Sequence, residues 1–350
     1  MHGGSRRVAV IGILALVVAV LPSSVADATG STGSTEGTAD WRRVSAGGRH
    51  SCGIRITGRL YCWGDDSDGE LGDDAALANM PTPTEVAGNH TDWITVAVGA
   101  NHTCARRATG RLYCWGRDSA GQLGDGPVLA DQPTPVEVVG NHTNWTTVAL
   151  GVGHTCARRA TGRLYCWGSD NDGELGDNAA HADQPTPVQV AGNHTNWGRI
   201  FAGGDGHTCA TRLTGRLYCW GNDSAGQLGD NAALANQPTP VQVAGNHTNW
   251  TSVTGGANHT CAGRATGRLY CWGNDSPGGS LGDNTALADQ PTPVQVAGSH
   301  TDWTSVTGGA GHSCGRRNSA RIYCWGNDNS GQVGDDPILA SQPTPIQVAP

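Results

Sequence analysis

The sequence predicts an all-β chain, a β-propeller of six blades with four antiparallel strands each. Three observations predict it. Cysteine pairs recur six times at one internal spacing, tryptophans keep the same rhythm, and short strand-like runs alternate with Gly, Pro, Asn and Asp clusters. Outside the N-terminus no segment has a helical apolar period of useful length.

The pairs are Cys52 with Cys62, Cys104 with Cys114, Cys156 with Cys166, Cys209 with Cys219, Cys261 with Cys271 and Cys314 with Cys324, each Cys-x9-Cys, with successive pairs 52 or 53 residues apart. A tryptophan follows each second cysteine (Trp63, Trp115, Trp167, Trp220, Trp272, Trp325) and another precedes each first one (Trp41, Trp93, Trp145, Trp197, Trp250, Trp303). The longer spacings come from single insertions in GRIFAGGDGHTC and NDSPGGSLGD, glycine-rich loops where one more residue costs little. Between Gly140 and Gly192 the four strands read TTVAL, HTCARR, RLYCW and PVQV. The last copy ends in PTPIQV at 343–348, and the first begins at Trp41 with no such strand before it. The C-terminal strand is therefore expected to pair with the N-terminal blade, closing the ring and removing an open edge.

Between Cys104 and Cys114 the turn Ala108-Thr109-Gly110 puts glycine where a three-residue hairpin loop needs a left-handed residue. In that register the cysteines face each other at a separation a disulfide accepts. Six disulfides are expected; zinc ligands come at closer spacings. The sixth hairpin has Asn318-Ser319-Ala320, so a different turn is expected there.

Residues 1–28 read as a signal peptide: Arg6 and Arg7, an apolar run at 8–21, and Ala26-Asp27-Ala28 as the cleavage site. Residues 29–40 have the composition of a flexible Gly/Ser/Thr linker, and 41–350 form the propeller. The apolar run is short for a membrane span, so the mature chain is expected to be secreted or extracellular, in a periplasm or at a cell surface, with no membrane span. Formal net charge is −8, and the 22 basic residues are arginines scattered through the repeats. No basic stripe for nucleic acid is present.

The pattern W-x-x-V-x-x-G-x-x-H-[ST]-C-A, then G-R-L-Y-C-W-G-x-D-x-x-G-Q-L-G-D and P-T-P-V-Q-V, resembles the RCC1 repeat, named for the regulator of chromosome condensation. It runs from Trp41 to Val348, and Tyr218-Cys219-Trp220-Gly221 through Gly226-Gln227-Leu228-Gly229-Asp230 is a specific match. The resemblance implies a propeller of four-stranded blades. Its best-known member has seven repeats and is an intracellular nucleotide exchange factor for a small GTPase; other members are secreted propellers that inhibit β-lactamases. This sequence departs in repeat number, export signal, cysteine pairs and lack of a basic tail.

Catalysis needs converging groups that stand out from their background, and this chain offers repetition. It has no nucleophile elbow, Walker loop or dinucleotide fingerprint in the required context, so a non-enzyme is expected. The loops give two aspartate series, beginning at Asp66 and Asp73. DDSDGE and SDNDGE make Asp66, Asp68, Asp170 and Asp172 candidate calcium ligands, although the full loop ending in a bidentate glutamate is absent. Otherwise these oxygens cap turns, and no cofactor is expected. The histidines of H-[ST]-C (His50, His102, His154, His207, His259, His312) are expected to hydrogen-bond a neighbouring blade. The NHTNW motif offers Asn141, His142 and Trp145, Asn193, His194 and Trp197, and Asn246, His247 and Trp250. These either cradle a sugar, making a multivalent lectin, or form an inter-blade turn with tryptophan as a packing wedge.

The function expected is a monomeric, non-catalytic protein-binding platform, an inhibitor or adaptor for an extracellular partner. The alternatives are a glycan-binding or calcium-dependent lectin and, by family analogy, an exchange factor. A protein partner is expected to use loops where the copies differ, around Pro127-Val128-Leu129, His181 or Pro337-Ile338-Leu339.

Overall fold

The computed structural model describes residues 40–349 apart from 76, 180, 205, 233, 277, 286 and 336–339. The expected signal peptide, nearly all of the linker and Pro337-Ile338-Leu339 lie outside the described residues. Within them no helix is long and apolar enough to cross a membrane.

Blade 1 consists of β1 (Trp41–Ala46), β2 (His50–Arg55), β3 (Leu60–Gly64) and β4 (Met80–Glu85). The same four-strand meander recurs as β5–β8 (93–137), β9–β12 (145–189), β13–β16 (197–242), β17–β20 (250–295) and β21–β24 (303–347), giving six blades in sequence order. The fourth strand of each blade lies at its sheet's edge and carries two prolines, such as Pro185 and Pro187. An edge tolerates residues that lack an amide donor.

One expectation fails here. The C-terminal strand β24 (Gln342–Gln347) pairs with β23 (Ile322–Gly326) of its own blade, Cys324 opposite Ile346, and not with the N-terminal blade. Blade 1 already has β4 as its fourth strand, so it lacks nothing for a distant strand to supply.

The cysteines face each other across the second and third strands: Cys52 lies opposite Cys62, and Cys156 opposite Cys166. All six expected pairs are bonded, Cys52 to Cys62, Cys104 to Cys114, Cys156 to Cys166, Cys209 to Cys219, Cys261 to Cys271 and Cys314 to Cys324, with Cα atoms 4.1 Å apart. Each closes a short loop, worth about 2–3 kcal/mol in the chain-entropy account. The turn that permits this register has a left-handed third residue, with φ 77° at Gly162. The sixth hairpin, where a different turn was expected, keeps the same one: Ala320 has φ 63° and donates to the Arg317 carbonyl at 2.9 Å, as Gly162 does to Arg159.

Each sheet has two different faces. One carries the disulfide with a leucine and a valine; the other carries two tryptophans and, in most blades, an alanine. The first face of blade 2 (Cys104, Leu112, Cys114, Leu123, Val138) packs on the second face of blade 3 (Trp145, Ala157, Trp167). Such clusters fill all five junctions between consecutive blades. The inner strands meet around a shallow depression of about 430 Å³ whose lining includes Gly47, Gly99, Gly151, Gly204, Gly256 and Gly309. Glycine is required at this crowded centre: a Cβ on Gly256 would collide with the Gly309 carbonyl.

Ala320→Gly is expected to stabilise the protein by about 1 kcal/mol, because it relieves a left-handed alanine. Chemical denaturation measures this; an unchanged or lowered midpoint would contradict the turn assignment.

Candidate functional site

The histidines of H-[ST]-C lock the blades together. His102 Nε2 lies 2.9 Å from Thr155 Oγ1 of the next blade. The Thr155 hydroxyl donates at 2.8 Å to the Gln122 carbonyl, which also accepts from the Trp167 indole at 3.0 Å. A hydroxyl has one proton, so His102 must donate through Nε2, leaving Nδ1 bare; Nδ1 is buried with no partner. The same lock joins His50 to Thr103, His154 to Thr208, His207 to Thr260 and His259 to Ser313. Burial lowers the pKa of His102 and His207 to about 3, and of His50, His154 and His259 to about 4. These imidazoles are neutral in the fold and protonate in the unfolded chain. Their stabilisation is complete above the ordinary value of 6.5 and is lost as pH falls to about 4 for His50, His154 and His259 and to about 3 for His102 and His207.

The NHTNW stretch is consumed in the same way. Asn141 holds φ 51°, His142 packs edge-on to Trp145 at 5.8 Å, and Asn144 accepts from Arg159 Nε at 2.8 Å. Asn193 and Asn246 have φ 53° and 51°, and His194 and His247 pack on Trp197 and Trp250 in the same manner. Trp145, Trp197 and Trp250 are 2%, 1% and 4% exposed, so no open indole face remains for a sugar ring. The packing-wedge alternative describes these rings. Sequence reasoning missed the arginines Arg159, Arg212 and Arg264, whose signal was an arginine closing every HTC strand.

The aspartate loops join the third strand to the fourth at one end of every sheet. Asp66 and Asp170 are buried and accept from the amides of Leu71 and Leu175, at 2.9 and 3.0 Å. Asp68 accepts from Asn101, and Asp172 from Asn222 and Asn236. Among the described residues no three metal-ligating side chains cluster. The one-residue insertion after Cys271 leaves this cap intact: Leu281 reaches Asp275 from six positions away instead of five. In blade 2 the cap is Asp118, which accepts from Leu123 while its own amide donates to Asp131 at 2.8 Å. Burial, with Asp125 and Asp131 nearby, raises its pKa to about 7, and its Oδ2 has no partner.

Tied at both ends, these loops carry large apolar side chains outward: Leu77, Val128, Leu129, Leu234 and Leu287 are 48–69% exposed. The corresponding loop of blade 3 holds exposed His181, bonded to the Asn171 carbonyl. The central depression, by contrast, is lined among the described residues by small and apolar side chains, none of them titratable.

A model of the RCC1-like domain matches residues 22–349. The chain belongs to the RCC1-like domain family. The ultraviolet-B receptor UVR8 of Arabidopsis thaliana is 31% identical over 311 residues, spanning 87% of this chain and 69% of the receptor. Protein pim1 of Schizosaccharomyces pombe is 27% identical, over 83% of this chain and 60% of its own. Among solved structures, yeast RCC1 (Prp20) bound to Kap60 superposes with a TM-score of 0.78 at 20% identity, covering 89% of this chain and 75% of the other. Prp20p of Saccharomyces cerevisiae, studied for binding to Gsp1p and histones, gives 0.74 at 22% identity, with 88% and 76% covered. At these identities the structures show the fold: this RCC1-like chain shares the propeller architecture, with blades of its own composition.

Thr155→Val removes both the acceptor for His102 and a donor to Gln122, and is expected to cost about 1–3 kcal/mol. Thr155→Ser should retain most of it, as Ser313 does naturally; equal losses in both variants would show that the hydroxyl is not what matters. Asp118→Asn is expected to stabilise the fold above about pH 7, where the native carboxylate is charged and buried. That gain should shrink as pH falls and vanish near the ordinary value of 3.8. A gain independent of pH would contradict the burial account.

Proposed function

We propose that this RCC1-like propeller is exported and acts as a non-catalytic platform that binds another protein through its loop rim. The observation that carries this reading is the set of exposed apolar side chains on the loops between the third and fourth strands, above all Val128 and Leu129. They sit on loops whose bases are cross-tied by Asp118 and Asp131 and by their equivalents, so docking would order little that is not already ordered. Here the copies diverge, DGPVLADQ against DNAALANQ, as recognition of one asymmetric partner requires. Six disulfides favour an oxidising compartment outside the cytosol. The named relatives add a precedent of the same kind, because Prp20p is described by the proteins it binds.

The test is capture from fractionated secreted and cell-envelope proteins and from a glycan array, with and without EDTA. A protein retained by the wild type and lost when Val128→Asp and Leu129→Asp are combined, in the presence of EDTA, is the expected result. Retention of glycans that survives this double substitution would overturn the proposal, and EDTA-sensitive retention would point to a calcium-dependent lectin instead.

A further inference from the structure

The hairpins between second and third strands lie at the end of each blade opposite the aspartate loops, because successive turns of a meander alternate ends. Two arginines stand there in every blade, one closing the second strand and one just before the third. Four of them are neutralised: Arg59 by Glu85 at 2.9 Å, Arg111 by Glu137 at 2.6 Å, Arg107 by Asp92 at 2.7 Å and Arg317 by Asp302 at 2.8 Å. In blades 3 to 5 the same acceptors are amides. Arg159 and Arg264 donate to Asn144 and Asn249 at 2.8 Å, and Arg212 donates to Asn196. Arg163 and Arg216 donate to Gln189 and Gln242 at 3.4 and 3.1 Å, and Gln295 holds the corresponding place in blade 5, the blade of Arg268.

The hydrogen bond is kept and the counter-charge is not. Among the described residues none of the arginines Arg159, Arg163, Arg212, Arg216, Arg264 and Arg268 has a carboxylate within ion-pair distance. Every described Asp and Glu between Trp145 and Gln295 lies in an aspartate loop, at the other end of its blade. One repeat apart in the sequence, these arginines form no basic stripe; three consecutive blades place them at one end of a chain whose net charge is −8. Two further features of blade 4 sit among them. Leu213 is 73% exposed, at the turn position that Ala108, Ala160 and Ala265 occupy in other copies. Beside it Arg212 borders a cavity of about 150 Å³ walled by His194, Trp197, Tyr218, Thr239 and Pro240. The Arg212 guanidinium lies 5.1 Å from the Trp197 ring and 5.6 Å from that of Tyr218, contacts that hold it in place without neutralising it.

We propose that this end of blades 3 to 5 is a recognition surface for an acidic segment of another protein, whose Asp and Glu side chains meet the arginines while an apolar side chain rests on Leu213. Charge complementarity argues for it. Guanidiniums take carboxylates in forked pairs, and the exposed leucine offers a contact that a purely charged polymer does not use. The tryptophans Trp145, Trp197 and Trp250 are buried and give unpaired bases no face to stack on. The loops bearing Val128 and Leu129 are at the opposite end, so this surface and that one stand or fall separately.

Fluorescence anisotropy of a labelled peptide of glutamates interspersed with leucines tests it, over a salt series, beside the same peptide with glutamine for glutamate, heparin and single-stranded DNA. The wild type should bind the acidic peptide, more weakly as salt rises, and should not bind the glutamine peptide. Asn144→Asp, Asn196→Asp and Asn249→Asp together install the ion pair that Arg107 and Arg317 already make, so the fold is kept, and binding should weaken about tenfold. Asp302→Asn, which frees Arg317 in the next blade, should strengthen it. Val128→Asp with Leu129→Asp should leave it unchanged. Failure of the wild type to bind the acidic peptide at low salt would overturn the proposal. So would a triple variant that binds like the wild type while keeping its circular dichroism, and tighter binding of heparin or DNA than of the peptide would overturn it in favour of a surface for polyanions at large.

Discussion

The structure depends on the junction where a histidine of one blade donates to a hydroxyl of the next, and that hydroxyl shares a carbonyl with a tryptophan indole. A four-stranded blade of this composition cannot bury its faces alone. The chain has one phenylalanine and 53 glycines, so its large apolar surface is concentrated in the tryptophans. Each sheet offers a disulfide-leucine-valine face and a tryptophan face, and only stacking one on the other takes both out of water. The buried polar lock accompanies that stacking and sets its register, because an unsatisfied His, Thr or Trp at such a site costs more than a satisfied one gains.

Function has to be sought in what this frame leaves over. The repeated polar motifs are largely spent on structure: Asn144 on Arg159, Asp170 on Leu175, His142 on the edge of Trp145. Side chains that differ between copies and face outward, such as Val128, Leu129 and His181, lie on loops whose ends are fixed. A row of loops tied at their bases is a suitable support for recognition, and one fold can serve many partners by varying them.

Much of this was legible in the residues. The strand rhythm, the cysteine pairing and the inter-blade role of the histidines follow from spacing, because a hairpin of fixed turn places Cys52 opposite Cys62 and every later copy repeats it. The fate of Trp145 was not legible, since a sugar platform and a packing wedge both put tryptophan beside Asn and His; only the three-dimensional stacking of blades decides which face is covered. The pairing of β24 was misjudged because the frame of the repeat can be cut before or after the PTP strand without changing the pattern. Ala320 shows the limit from the other side: a poor residue for the turn is held there by the disulfide and ladder around it.

The most direct test of the lock is a nitrogen-detected NMR titration of the imidazoles of His102, His154, His207 and His259. The account predicts neutral rings protonated at Nε2 only, unchanged on acidification until pH values of about 3–4 are approached. Rings protonated at Nδ1, or titrating near 6.5 in the folded protein, would mean that these histidines do not hold the blades together.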